Sequence, residues 1–149
     1  MSEKTLQVFI DGVVRYFHHT QDKDVKLGTP YLVENSSPAA FDYTGIIGVS
    51  GASKGCVYFT APSALLRHLL LSLGETDTNS ENMVDLVGEV ANTISGNARS
   101  EFGKDFMISV PVVVQGAPDQ IHLPRSMRSY VIPVYWKAYS AAVVISLIQ

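Results

Sequence analysis

Cysteine is nearly absent from this sequence, since Cys56 is the only one among 149 residues. A lone cysteine excludes an internal disulfide and a zinc site built from several thiolates, and it suits a reducing compartment. We expect Cys56 to be a buried, small apolar side chain, as free cysteines commonly are.

Long hydrophobic runs are also missing. The longest nearly apolar stretches, residues 130–136 and 141–148, are much shorter than the roughly 20 residues of a membrane-spanning helix. Charge appears early in the chain, at Glu3 and Lys4, so the N-terminus lacks the uninterrupted apolar core of a secretory signal. We therefore expect a soluble protein in the cytoplasm.

Clusters of basic residues are absent as well. The formal net charge is −3, and no group of Lys and Arg forms a surface for nucleic acid or anionic lipid. The four histidines, at positions 18, 19, 68 and 122, lack the spacing of metal ligands, and the glycines lack the order of a phosphate-binding loop. These absences favour a protein or a small molecule as the partner, with no metal or cofactor bound by the chain.

The remaining pattern predicts a single α+β domain over residues 1–149. Apolar residues recur at helical spacing over residues 5–18, 62–73 and 80–102. Asn79 or Ser80 can cap the third helix, and Gly103 can end it. Extended segments are predicted at residues 26–34, 43–49, 55–60, 106–115, 130–136 and 139–148. The resulting order, α-β-β-β-α-α-β-β-β, predicts a mostly antiparallel sheet of about six strands covered by three helices.

The third predicted helix has a polar face made of short side chains. On a helical wheel at about 100° per residue, its core side is formed by Met83, Val84, Val87, Ala91, Ile94, Ala98 and Phe102. The opposite side is formed by Asn82, Asp85, Glu89, Asn92, Thr93, Gly96 and Ser100.

Glu89 and Asn92, three residues apart, are neighbours on this polar face, and Asp85 lies one turn earlier. Any surface helix has a polar face, but this one lacks the Lys and Glu pairs that usually stabilise an exposed helix. Gly96 costs about 1 kcal/mol relative to Ala in a helix interior. The face therefore gives up stability, which is easier to explain if another backbone or a bulky group must come close at Gly96.

These residues resemble the CheC, CheX and FliY phosphatases of bacterial chemotaxis. The family signature is an acidic residue or serine, then Glu four positions later, Asn three positions after that, and a proline after about twenty more. Asp85, Glu89 and Asn92 occupy the first three places, and Pro111 is the proline, slightly early. The similarity extends to the hairpin at residues 45–55 and the strand at residues 108–116.

The motif occurs once in this chain, whereas CheC-type members carry two copies, so CheX is the better match. The resemblance implies a homodimer that hydrolyses the aspartyl phosphate of a response-regulator receiver domain similar to CheY. The receiver would supply its own Mg²⁺ and a lysine beside the phosphate. Asn92 would orient the attacking water, and Glu89 would contact that lysine. Asp85, Thr93 and Gly96 would contribute to the surface that binds the partner.

Other interpretations compete with this one. Residues 51–55 match the Gly-x-Ser-x-Gly pattern of a hydrolase nucleophile, but that motif requires a strand-to-helix turn. Because strands are predicted on both sides of Ser53, a hairpin loop is the better interpretation. A non-catalytic adaptor could bind a receiver, or another signalling protein, through the same helix face without turnover. A structural dimerisation module would leave the face around Glu89 empty.

Overall fold

The fold is given by a computed structural model that describes residues 3–19, 25–35, 39–116, 123 and 128–148. Its helices are α1 (Glu3–His19), α2 (Ser63–Ser72) and α3 (Ser80–Phe102). Its strands are β1 (Val25–Leu27), β2 (Tyr31–Glu34), β3 (Tyr43–Gly51), β4 (Lys54–Ala61), β5 (Phe106–Ile108), β6 (Val112–Gln115), β7 (Arg128–Trp136) and β8 (Tyr139–Ile148). The predicted α+β class and element order are confirmed. Two of the predicted strands are each divided in two, which raises the strand number to eight.

The described strands form one antiparallel sheet in the order β1-β7-β8-β4-β3-β5. Strand β2 also pairs with β7, and β6 also pairs with β3, so β5 and β6 share one edge of the sheet. Alternation along β4 shows the two faces: Val57 and Phe59 join the large core beneath the helices, whereas Tyr58 joins a smaller cluster on the other face. Helix α3 packs over β3, β4 and β5, and α2 packs against α3 and β8.

A β-bulge causes each of the two divisions. Ile46 and Val49 of β3 are separated by two residues, but their partners Val112 and Ile108 are separated by three, residues 109–111. The second bulge lies between β1 and β2. Leu27 and Tyr31 are separated by three residues, 28–30, but their partners Val134 and Val131 on β7 are separated by two. One extra residue on one strand of an antiparallel pair defines a bulge, which bends the strand locally.

Helix α3 is held at both ends by the residues that the sequence predicts. The Asn79 side chain accepts a hydrogen bond of 2.8 Å from the Asn82 amide, which satisfies one of the unpaired N–H groups in the first turn. Gly103 follows the last turn with φ of 93°, a left-handed conformation that favours glycine. The ends of α3 are therefore fixed by local sequence.

Close contact between α3 and β3 depends on Gly45. A Cβ atom built at Gly45 would lie 2.5 Å from the carbonyl oxygen of Val87. Such a distance is far inside van der Waals contact, so only glycine allows the helix backbone to rest on the strand here. This contact sets the height of the central turns of α3 above the sheet.

Cys56 is only partly buried, whereas the sequence predicted a buried side chain. It packs against the smaller cluster, on the sheet face away from the helices. Desolvation nevertheless raises the pKa of its thiol to about 11.

Within the described segments, no helix is long and apolar enough to cross a membrane.

Candidate functional site

The polar face of α3 points to solvent. Asp85, Glu89 and Asn92 are exposed, and Thr93 and Gly96 are partly exposed beside them. Glu89 and Asn92 are about 4.5 Å apart along the helix axis, given a rise of about 1.5 Å per residue. The predicted juxtaposition of a carboxylate and a carboxamide on one exposed surface is therefore present, and their roles remain predictions.

The side chains of Glu89 and Asn92 form no hydrogen bond with any residue that the structure describes. The carboxylate of Glu89 can accept hydrogen bonds on both oxygens, and the carboxamide of Asn92 can both donate and accept. Their hydrogen-bonding capacity is thus available to a partner or to water.

The opposite side of α3 is anchored in the core more broadly than the wheel predicted. Leu86, Gly88, Val90 and Ser95 are buried in addition to residues of the predicted stripe. Helix α1 packs against α3 at Gly12, where an added Cβ would be 3.5 Å from the carbonyl oxygen of Ile94. The wider buried surface holds the polar face on a rigid element.

The bulge between β5 and β6 lies directly beside the predicted site. A Cβ at Gly88 would be 3.6 Å from the Pro111 ring and 3.4 Å from Val113. Ser109 fixes the bulge to β3, because its hydroxyl accepts a 2.8 Å hydrogen bond from the Gly48 amide. The proline that completes the family signature therefore touches α3 one residue before Glu89. Spacing alone did not predict this contact, although the glycine preceding Glu89 was a signal for it.

Tyr16 of α1 is a neighbour of the site that the sequence did not identify. Burial, and secondarily the negative charge of Glu89, raise the pKa of the Tyr16 hydroxyl well above its usual value. The side chain is buried, with 7% of its surface exposed. Helix α1 therefore borders the polar face on one flank, and the bulge borders it on the other.

Gly96 faces open space. Apart from the backbone of α3 itself, nothing in the described part of the chain lies within 4 Å of a Cβ built there, so no backbone or bulky group among the described residues accounts for the glycine. Gly96 instead lines a shallow groove of about 470 Å³ together with Arg99, Met107 and Ile108. The groove runs between α3 and β5 and continues the polar face toward the helix C-terminus.

The described residues form neither the nucleophile turn considered for Ser53 nor a metal site built from histidines. Ser53 lies in the turn between β3 and β4, so the predicted hairpin is confirmed, with a shorter loop than expected. The His68 ring packs against Trp136 and Tyr139 instead of joining other histidines. Among the described residues, no three His, Cys, Asp or Glu side chains cluster around a possible metal position. His122 lies outside those residues.

Known proteins with the same fold were found by structure comparison and by a family profile. No curated protein matches the chain by sequence. A CheC-like superfamily protein from Shewanella sp. PV-4 is 25% identical over 100% of both chains, with a TM-score of 0.86. The chemotaxis protein CheX from Vibrio vulnificus is 24% identical, with 97% of this chain and 99% of that chain covered and a TM-score of 0.81.

A third similar structure is the CheX–CheY–BeF₃–Mg²⁺ complex from Borrelia burgdorferi, whose matching chain is 18% identical, with 97% of each chain covered and a TM-score of 0.77. The family profile described as "Chemotaxis phosphatase CheX" matches residues 43–135, which is more than half of the sequence and includes β3, β4, α2, α3, the bulge and most of β7. The chain therefore belongs to the family of the chemotaxis phosphatase CheX.

Proposed function

We propose that this protein accelerates hydrolysis of the aspartyl phosphate on a CheY-like receiver domain, using the exposed face of α3. The observation that carries the proposal is the pair Glu89 and Asn92, exposed side by side on a rigid helix without hydrogen bonds to the described chain. The Borrelia relative, solved with CheY in the presence of BeF₃ and Mg²⁺, supports a receiver as the partner class.

Asn92 would position the attacking water. An acyl phosphate is already activated, and the Mg²⁺ expected on the receiver neutralises charge, so the main remaining requirement is a water in line with the scissile bond. A carboxamide can accept a hydrogen bond from this water and donate one to the phosphate without changing protonation state. The bond between phosphorus and the aspartyl oxygen breaks, and water supplies the new oxygen of inorganic phosphate.

Glu89 would orient the receiver. Its carboxylate can pair with the lysine that receivers carry beside the phosphate, which fixes the angle at which the two proteins meet. Asp85 would add negative charge one turn away, and Thr93 and Gly96 would contact the partner surface. No metal bound by this chain is needed for these roles.

The deciding experiment follows phosphate release from a panel of phosphorylated receivers. With Asn92→Ala we expect release to fall to the intrinsic rate of the receiver, while the fold and most of the receiver binding remain. Ser100→Ala, an exposed position further along the same face, serves as the matched control and should retain activity.

Two outcomes would contradict the proposal. Unchanged phosphate release with Asn92→Ala would refute the assigned mechanism. Binding of phosphorylated receivers by the wild-type protein without any acceleration of phosphate loss would identify the adaptor function instead.

Assembly and location complete the proposal. Family resemblance suggests a homodimer, which light scattering coupled to size-exclusion chromatography would measure. A receiver substrate of a two-component pathway would place the protein in the cytoplasm.

A further inference from the structure

The two ends of the α3 face carry opposite charges. Asp85 and Glu89 lie toward its N-terminal half, and Arg99 lies in its last turn. Glu89 and Arg99 are ten residues apart, or about 15 Å along the axis. The Arg99 side chain is exposed and has no ion-pair or hydrogen-bond partner among the residues described. The face therefore offers a partner two charged contacts of opposite sign.

The Arg99 end of the face also has an apolar wall. Met107 of β5 lines the groove with Gly96 and Arg99, and its side chain is 49% exposed. Closer to Glu89, where Pro111 packs against Gly88, Val110 of the bulge is 79% exposed. Exposed apolar side chains that adjoin an unpaired charge are typical of the border of a protein interface.

We propose that the groove formed by Gly96, Arg99, Met107 and Ile108 binds a carboxylate-bearing surface segment of the receiver domain, as a second contact beyond the phosphate. This inference rests on the proposed function and adds the specific complementarity of the partner. Arg99 is an exposed cation without a partner among the described residues, so the receiver segment that lies against the groove should carry the complementary carboxylate.

A second contact of opposite sign has a physical purpose. One ion pair at Glu89 leaves the receiver able to rotate about that contact, whereas a cation about 15 Å further along fixes its orientation. The reversed orientation would place the receiver lysine against Arg99 and its carboxylate against Glu89. Like charges would then face each other at both ends, which favours the one docking geometry that brings the phosphate to Asn92.

The test measures the dissociation constant of a CheY receiver domain held with BeF₃⁻ and Mg²⁺. Arg99→Glu should raise this constant by about 1.4- to fivefold, the range for an exposed ion pair, and the effect should shrink in high salt. Arg99→Lys should restore most of the affinity. Met107→Ser should also weaken binding, but with little salt dependence.

Arg67→Glu provides the control, since Arg67 is exposed on α2 and the substitution changes net charge by the same amount. Equal dissociation constants for the two Glu variants, with weaker binding by Glu89→Gln, would overturn the groove and leave the proposed function standing. If Glu89→Gln also leaves the dissociation constant unchanged and Asn92→Ala leaves phosphate release unchanged, the proposed function itself is overturned. A dimer that dissociates with Arg99→Glu while receiver affinity stays constant would make a second copy of the chain the occupant, against our proposal.

Discussion

Substitution of Gly96 by Ala separates the stability of α3 from its role in docking. A Cβ at Gly96 meets nothing within 4 Å in the described chain, so the change introduces no clash in the isolated protein. The helix gains about 1 kcal/mol from the better propensity of Ala. For a chain of this size, that gain corresponds to a melting temperature higher by about 2–4 °C.

The same methyl group occupies space that the proposed function assigns to the receiver. We expect Gly96→Ala to raise KM for the phosphorylated receiver while leaving kcat nearly unchanged, because Asn92 lies one turn away and keeps its own environment. The two effects have opposite signs: a more stable protein that binds its substrate less well.

The assay combines thermal unfolding with steady-state phosphate release. Ser100→Ala is the matched control, because it also raises helix propensity but adds no atom to the surface. It should stabilise the helix without changing KM. A Gly96→Ala variant that is more stable and has the KM of wild type would refute the idea that a partner approaches Gly96. A lower melting temperature would refute the assignment of open space there.

Two further predictions concern the scaffold. Gly45→Ala should destabilise the protein by about 1–3 kcal/mol, because its Cβ would lie 2.5 Å from the Val87 carbonyl oxygen and backbone cannot move aside cheaply; a urea titration that shows unchanged stability would contradict this contact. Alkylation of Cys56 by iodoacetamide should be slow at pH 8 and rise about tenfold per pH unit up to about pH 11, because burial raises the pKa of the thiol and only the thiolate reacts. A rate that levels off near pH 8.5 would contradict the raised pKa.

The sequence predicted those features that depend on local pattern. Helix α3 was located by its apolar period and by Asn79 and Gly103 at its ends, and the structure confirms all three. The hairpin of β3 and β4 was equally predictable, because two runs of β-branched and aromatic residues flank a short polar turn. Exposure of Glu89 and Asn92 followed from the same helical period.

Features that depend on a partner strand or helix were not predictable in this way. The bulge at residues 109–111, which separates β5 from β6, is defined by the pairing register with β3. This register depends on both strands and cannot be read from the sequence of one of them. Cys56 was expected to be buried because free cysteines commonly are, but it lies on the sheet face away from the helices and is only partly buried. The electrostatic effect of Glu89 on Tyr16 depends on the packing of α1 against α3, which neither helix alone predicts.

The polar face of α3 can be selected for binding because the other face supplies the stability. Val87 and Ile94 are almost fully buried, and burying such a side chain stabilises the fold by about 1.5–3 kcal/mol. Gly96 and Asn92 together cost less than two kcal/mol in helix propensity, at about 1 kcal/mol for Gly and less for Asn. Val87 and Ile94 together therefore offset both unfavourable residues. A carboxamide and an open position can thus remain on a rigid helix, and substitutions on the polar face should change docking and turnover more than they change folding.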